Sequence, residues 1–400
     1  MGNSSKRTPP RVLTKEEIYD RAENRGLTND ELLFLESEIF YHPVAVLQFC
    51  LGENEYNKRR EVTTAVNLLR AIDNIEDGDL EIREKTWLID LFLNNVLGPV
   101  IRRDKGSTID DVLKGMQLKT FAENLKSGSR EDKDQMIFAE HFQRGAVLRE
   151  LYTFDRETKE AIEHAMMGAG QGMKEFLLRG EIQTVDQLDR YCYYVAGRIG
   201  SFLTKLVKLK DRDLQHNSIV LDPNGAEDFG AFLQLANIAQ NVREDWEEGR
   251  RIYFPAMLRT AAISHQYMML GPIAEIGEAQ KQSLENMLVM AKGRFIKSAE
   301  YVSSIPDSLR GYKTFSGMLL ISGRELVKLM EREGAEAVFE GKENATRLSN
   351  STLTNISYFS QLITKQPGKS DLWLVEYTAN PDKFSFYNGK FREWAPKYTS

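Results

Sequence analysis

The stretch Leu68-Leu69-Arg70-Ala71-Ile72-Asp73-Asn74-Ile75-Glu76-Asp77 decides how this chain is read. Asp73, Glu76 and Asp77 stand at i, i+3 and i+4, which places three carboxylates on one helix face, where they repel one another unless a cation neutralises them. Just upstream, Val62, Ala65, Val66 and Leu69 form one apolar stripe. The acidic cluster therefore sits at the end of a packed helix, and its carboxylates have a rigid base.

A second oxygen-rich group follows the apolar run Phe232 to Ile238: Asn241, Glu244, Asp245 and Glu248, at i, i+3, i+4 and i+7. Taken singly, each cluster reads equally well as an ordinary solvated helix face, because charge runs usually face water. Together they point further. Both come directly after apolar helical turns, and each has an arginine nearby, Arg70 and Arg250, able to grip phosphate oxygens. Hard divalent cations take oxygen ligands, and Mg²⁺ binds through one or two carboxylates together with substrate phosphates and water. Two such faces suit a diphosphate.

Outward from these clusters, helical periodicity extends from Thr14 to about Leu362, so the class is all-α. Thr14 with Glu17, and Thr28 with Glu31, have the capping-box spacing and each opens a helix. Breaks fall at Lys126 to Asp134, Asp222 to Gly225, Ser304 to Asp307 and Gln366 to Ser370. Beyond Gln366 the pattern turns aromatic and polar without helical period, as at Trp373, Tyr377, Phe384 and Tyr387. A short hairpin around Asn388-Gly389 is one option there. The predicted organisation is an arm and short helix over 1–27, a helical domain over 28–365 and an irregular aromatic tail over 366–400.

Composition narrows the function. With 42% hydrophobic and 28% charged residues, 400 residues bury a large core. The net charge of −6, without a basic stripe, argues against nucleic acid as a partner. Cys50 and Cys192 have neither metal nor redox spacing, which fits a reducing compartment. The basic N-terminus lacks the apolar core of a signal peptide, and Lys6 stands where a myristoylation site carries Ser or Thr, so a cytoplasmic location is predicted. The most apolar stretch, Leu88 to Ile101, is interrupted by Asp90, Asn94, Asn95 and Pro99 and cannot span a bilayer. Gly168-Ala169-Gly170-Gln171-Gly172 lacks nucleotide-loop spacing and reads as close helix packing. The five histidines are scattered, which excludes a paired zinc spacing.

The residues also carry a resemblance. Leu69 to Asp77 is similar to the first aspartate-rich motif of squalene synthases, and Leu233-Gln234-Leu235-Ala236-Asn237-Ile238 through Asp245 resembles the second. Between them, Asp189-Arg190-Tyr191-Cys192-Tyr193-Tyr194-Val195-Ala196-Gly197 resembles the family segment whose first tyrosine is assigned a catalytic role, and Gly172-Met173-Lys174-Glu175-Phe176 matches another family helix. Similarity runs from about Phe34 to Leu362. The chain is thus identified as resembling the squalene/phytoene synthase family.

That resemblance implies a single large antiparallel helix bundle of isoprenoid-synthase type around a central apolar cavity. It implies Mg²⁺ on Asp73, Glu76, Asp77, Asn241 and Asp245, with diphosphate bound by Arg70, Arg250, Gln234 and Asn237, and Tyr191 assisting proton removal. Two farnesyl diphosphates would be joined head to head through presqualene diphosphate, with NADPH reduction to squalene. Its alternatives are a phytoene or dehydrosqualene synthase without reduction, a one-substrate terpene synthase, and a non-catalytic prenyl-binding paralogue. An apolar product also implies peripheral membrane contact. The chain departs from the family pattern in two places: Gln240-Asn241 replaces Arg-Asp, and Phe40-Tyr41-His42-Pro43 replaces Ser-Arg-Ser-Phe. These changes remove two cations and one negative charge from the diphosphate site.

Overall fold

The computed structural model describes residues 20–22, 56–102, 108–114, 118–127, 133–180, 182, 184–209, 221–247, 278–349, 351–353, 355–356, 377 and 386. Every regular element among the described residues is helical, as the periodicity predicts. The chain forms two compact units, 1–163 and 164–400.

In the first unit, helix α1 (Tyr56–Asp77) buries Val62, Ala65 and Leu69 of the expected stripe and half-buries Val66, and it also encloses Leu68, Ala71, Ile72 and Ile75. Helix α2 (Ile82–Leu91) is opened by Glu84, whose carboxylate accepts the Glu81 amide at 3.2 Å. It continues through a π-helical turn, Phe92–Leu97, into Gly98–Ile101. This is the most apolar stretch of the sequence. Its Leu88, Ile89, Phe92, Val96 and Val100 are buried while Asp90, Asn94, Asn95 and Pro99 are exposed, so the interruptions form the wet side of a core helix.

Helices α3 (Leu118–Ser127) and α4 (Lys133–Gln143) follow, and the predicted break falls between them. Gly145, at φ +73°, then turns the chain into α5 (Ala146–Thr153), a left-handed conformation that glycine adopts without a Cβ clash. Phe92, Phe121, Phe138 and Phe142 meet at centroid distances of 5.4–5.9 Å to form the core. Burying each ring is worth roughly 1.5–3 kcal/mol relative to exposure.

Helix α6 (Arg156–Arg179) begins in the first unit and ends in the second. Its start is capped by Asp155, which accepts the Thr158 amide at 2.8 Å. The glycine cluster is the packing device predicted. A Cβ at Gly168 would lie 2.2 Å from the Arg198 guanidinium carbon, and one at Gly172 would lie 2.4 Å from Tyr194 Cβ. Thr184 caps α7 (Val185–Cys192), which passes through a second π turn, Tyr193–Gly197, into α8 (Arg198–Leu209).

The Asp222 to Gly225 break is corrected. Asp222 is the N-cap, accepting the Asn224 amide at 3.0 Å, and α9 (Pro223–Gln240) starts at once with Gly225 inside its first turn. Proline at a first helical position loses no bond, so this punctuation marks a start and not a loop. A short helix α10 (Val242–Glu247) follows. Two long helices, α11 (Glu278–Ser304) and α12 (Arg310–Glu333), complete the core, with the predicted break between them. Among them runs a buried hydroxyl chain. Thr204 donates to the Gly200 carbonyl at 2.8 Å, and Tyr301 lies 2.5 Å from the Thr204 hydroxyl and 2.9 Å from that of Tyr312.

Of the aromatic tail, Tyr377 and Phe386 are fully buried, and the Tyr377 hydroxyl donates to Glu325 at 2.9 Å. Asp20, Arg21 and Ala22 are helical. The capping boxes at Thr14 and Thr28, the Gln366 to Ser370 break, the Asn388-Gly389 turn and Cys50 lie outside the described residues.

Candidate active site

At the end of α1 the three carboxylates of the first motif differ in access. Asp73 is half-buried, Asp77 is exposed and Glu76 is only 7% exposed. The Lys85 ammonium donates to the Glu76 main-chain carbonyl at 2.6 Å, placing a cation on an orphan carbonyl at the helix C-terminus. One turn back, Arg70 is 3% exposed, its guanidinium 4.7 Å above the Phe138 ring. The aromatic core therefore supports the arginine from below.

Among the described residues no three His, Cys, Asp or Glu side chains converge on one point. What α1 presents is a pair of accessible carboxylates, Asp73 and Asp77, one turn apart. That donor set fits Mg²⁺, which takes one or two carboxylates and completes its octahedron with phosphate oxygens and water.

In the second unit Tyr191 is 2% exposed and meets Phe176 edge to face at 5.2 Å. The two residues before it reach out in different directions. Asp189 forms an ion pair with Arg294 of α11 at 2.9 Å, and Arg190 donates to Glu175 of α6 at 2.9 Å while lying over the Tyr194 ring. Arg294 also pairs with Asp228 of α9. Burial pulls the Arg294 guanidinium down, but its contact with Asp189 and the charges of Asp189 and Asp228 outweigh this and hold it above its ordinary value. Cys192 is fully buried; burial pushes its thiol far up, so it stays protonated and is no nucleophile.

The π turn begins two residues after Tyr191, at Tyr193, and its backbone lies hard against α9. A Cβ on Gly230 would fall 2.2 Å from the Ala196 carbonyl, and one on Gly200 2.2 Å from that of Ala226. Gly197 and Gly200 from one side and Gly230 from the other thus let two backbones touch.

The outer side of α9 is polar. Gln234, Asn237 and Gln240 are half-buried, whereas Leu235, Ala236, Ile238 and Ala239 are at most 2% exposed. Asn241 does not continue that helix. It stands between α9 and α10 with φ −94° and ψ 8°, so the group from Asn241 to Asp245 is interrupted where one uninterrupted face was expected. Helical bonding still spans the junction, since the Asn241 amide reaches the Asn237 carbonyl and the Asp245 amide reaches the Asn241 carbonyl, both at 2.9 Å. The Asn241 side chain donates to that of Asn237 at 3.3 Å, and Asp245 is half-buried. The side chain of Glu244, and Tyr41, His42, Glu248 and Arg250, lie outside what is described.

The sequence assigns Asp189 no role and gives no sign of Arg294 or Asp228. These partners come from three different helices, and no local spacing links them.

Comparison with known proteins adds the following. The family model for squalene/phytoene synthase matches residues 55–349. The chain is 27% identical over 243 residues to squalene synthase R6 of Phoma sp., covering 60% of this chain and 52% of that protein. It is 30% identical over 185 residues to lycopaoctaene synthase of Botryococcus braunii, covering 45% and 40% respectively. The chain thus spans about half the length of the curated relatives it matches. Solved complexes of TcSQS share the fold: the one with E5700 superposes at a TM-score of 0.61 and 18% identity, over 96% of this chain and 98% of that chain.

Proposed function

Because this chain belongs to the squalene/phytoene synthase family, we propose that it is a Mg²⁺-dependent prenyltransferase that joins two farnesyl diphosphates head to head into presqualene diphosphate. The observation that carries the reading is the pair of accessible carboxylates, Asp73 and Asp77, one turn apart at the end of a helix whose remaining sides are core. Mg²⁺ on diphosphate oxygens neutralises charge and makes diphosphate a better leaving group.

The chain's own residues do the rest. Asp73 and Asp77 offer anionic oxygens at the first motif, and Asp245 offers another at the second beside the neutral side-chain carbonyl of Asn241. Arg70 and Arg250 serve as diphosphate-binding cations, Arg70 held in one orientation by Phe138. Gln234 and Asn237 present amides along the same helix side. After one diphosphate departs, the double bond of the second substrate attacks the allylic cation, and a proton is lost as the cyclopropane closes. Tyr191 would receive that proton on its oxygen while its own hydroxyl proton passes to the departing diphosphate, and its burial keeps water away from the hydroxyl. Reduction to squalene with hydride from NADPH rests on likeness to squalene synthases. Without it the product is of the dehydrosqualene or phytoene type.

No helix among the described residues is long and apolar enough to cross a membrane. The apolar product supports our further proposal that the protein works in the cytoplasm and touches membranes peripherally to release it. A non-catalytic prenyl-binding role is the second reading, favoured by the uncharged Asn241 and its amide contact with Asn237. The test is incubation of the purified chain with farnesyl diphosphate and Mg²⁺, with and without NADPH, followed by identification of the hydrocarbon. Asp73→Ala and Asp77→Ala are expected to abolish diphosphate release with little change in melting temperature. Full activity in both variants would sink the metal assignment.

A further inference from the structure

Asp189, Arg190 and Tyr191 are consecutive on α7, so successive side chains leave the helix about 100° apart. Asp189 goes to Arg294 on α11, Arg190 to Glu175 on α6 and Tyr191 to Phe176 on α6. Helix α7 is therefore tied by ion pairs to two helices, and Tyr191 follows directly after the two tied residues.

The Arg294 tie is the one that reaches further. One nitrogen of its guanidinium faces Asp189 at 2.9 Å and the other takes the Asp228 carboxylate of α9, while Lys297 approaches that carboxylate at 3.5 Å. Helix α9 carries Gln234 and Asn237 and leads into Asn241 and Asp245. The guanidinium hydrogen-bonds Asp228 through one nitrogen and lies in ion-pair contact with Asp189 through another, so it draws together the helices that present the two carboxylates. Arg294 is 24% exposed and Asp228 16%, so that pair is partly shielded from solvent screening, whereas Asp189, at 41%, is the wetter partner.

We propose that Arg294 is a positioning residue: through Asp189 and Asp228 it holds the Tyr191 helix in register with the helix of the second motif, and so places the Tyr191 hydroxyl for proton removal. This rests on the prenyltransferase reading above. Two nitrogens of Arg294 are engaged by Asp189 and Asp228, so its role is assigned through those residues. Its loss acts by displacement, and a misplacement of about 1 Å at a reacting group costs about 10²-fold in rate.

The experiment is a double-mutant cycle on presqualene diphosphate formation. Arg294→Met is expected to lower kcat about 10²-fold, with KM within about twofold, and Arg294→Lys to recover part of the loss through a single arm. In the Tyr191→Phe background the same Arg294→Met change should cost less than about threefold, because residues acting as one unit are not additive. Equal losses in both backgrounds would mean a general structural role and overturn the proposal.

Hydrogen exchange of peptides covering 185–197 and 225–240 provides a readout independent of turnover. Arg294→Met should speed exchange in both while leaving α4 unchanged. If the wild type makes no product from farnesyl diphosphate, the functional reading fails and exchange alone decides the tie. Unchanged exchange in both peptides would refute it whatever the activity.

Discussion

Gly230→Ala is the sharpest test of the packing that surrounds Tyr191. A Cβ there would lie 2.2 Å from the Ala196 carbonyl oxygen, 2.6 Å from its carbon and 2.9 Å from Gly197 Cα. All three are backbone atoms, so no side chain can swing aside. The 2.2 Å separation is 1.2 Å short of the 3.4 Å at which ordinary contact begins, so α9 and the π turn must part by about that distance. Overpacking of this kind costs about 1–3 kcal/mol, and more where the backbone cannot yield.

A control is built into the same unit. Gly293, exposed in the middle of α11, has nothing within 4 Å of the point where an alanine methyl would sit, so Gly293→Ala should stabilise by about 0.5–1 kcal/mol through helix propensity. Urea unfolding followed by far-ultraviolet circular dichroism reads both, as shifts of midpoint at constant slope. The two substitutions add the same methyl group and are expected to move the midpoint in opposite directions. A Gly230→Ala variant as stable as wild type, or a destabilised Gly293→Ala, would refute the packing argument. Because the displaced turn starts two residues after Tyr191, Gly230→Ala should also lower kcat, by about 10²-fold for a shift of about 1 Å.

Two further outcomes concern charge. Asn241→Asp returns a carboxylate one turn before Asp245, and Asn237 can turn its amide over to donate to it. Half-saturating Mg²⁺ for product formation should drop about tenfold, a gain of about 1–2 kcal/mol from charge-assisted contacts. An unchanged Mg²⁺ titration would show that position 241 takes no part in metal binding. Glu325 is fully buried and accepts from Tyr377 at 2.9 Å and Lys328 at 3.2 Å. Burial raises its carboxyl above the ordinary 4.5, against the opposing pull of Lys328 and Tyr377. The folded state then holds this proton more tightly than the unfolded chain, so wild-type stability falls as pH rises from the ordinary value through the raised one. Glu325→Gln removes that dependence, and its stability relative to wild type should improve as pH rises from 4.5; a difference flat in pH would contradict the raised carboxyl.

The all-α class, the stripe of α1 and the glycine seam of α6 were legible because each depends on neighbours three or four residues away, and helical geometry turns such spacing directly into a shared face. The placing of Asp73 and Asp77 one turn apart on α1 was legible for the same reason, whereas the role proposed for Tyr191 rests on resemblance to a family with the same motif order. Asp222 to Gly225 misled, since Asp, Pro and Gly punctuate helix starts as readily as loops, and only the side-chain bond to the Asn224 amide separates the two.

Three things needed tertiary structure. Glu76 shares its spacing with Asp73 and Asp77 but lies inside, because which edge of a helix face meets solvent is set by what packs against it. Asn241 falls at a helix junction that periodicity does not register. The clamp of Arg294 on Asp189 and Asp228 joins three helices distant in sequence, and ion pairs between such residues exist only once the chain has brought their backbones together.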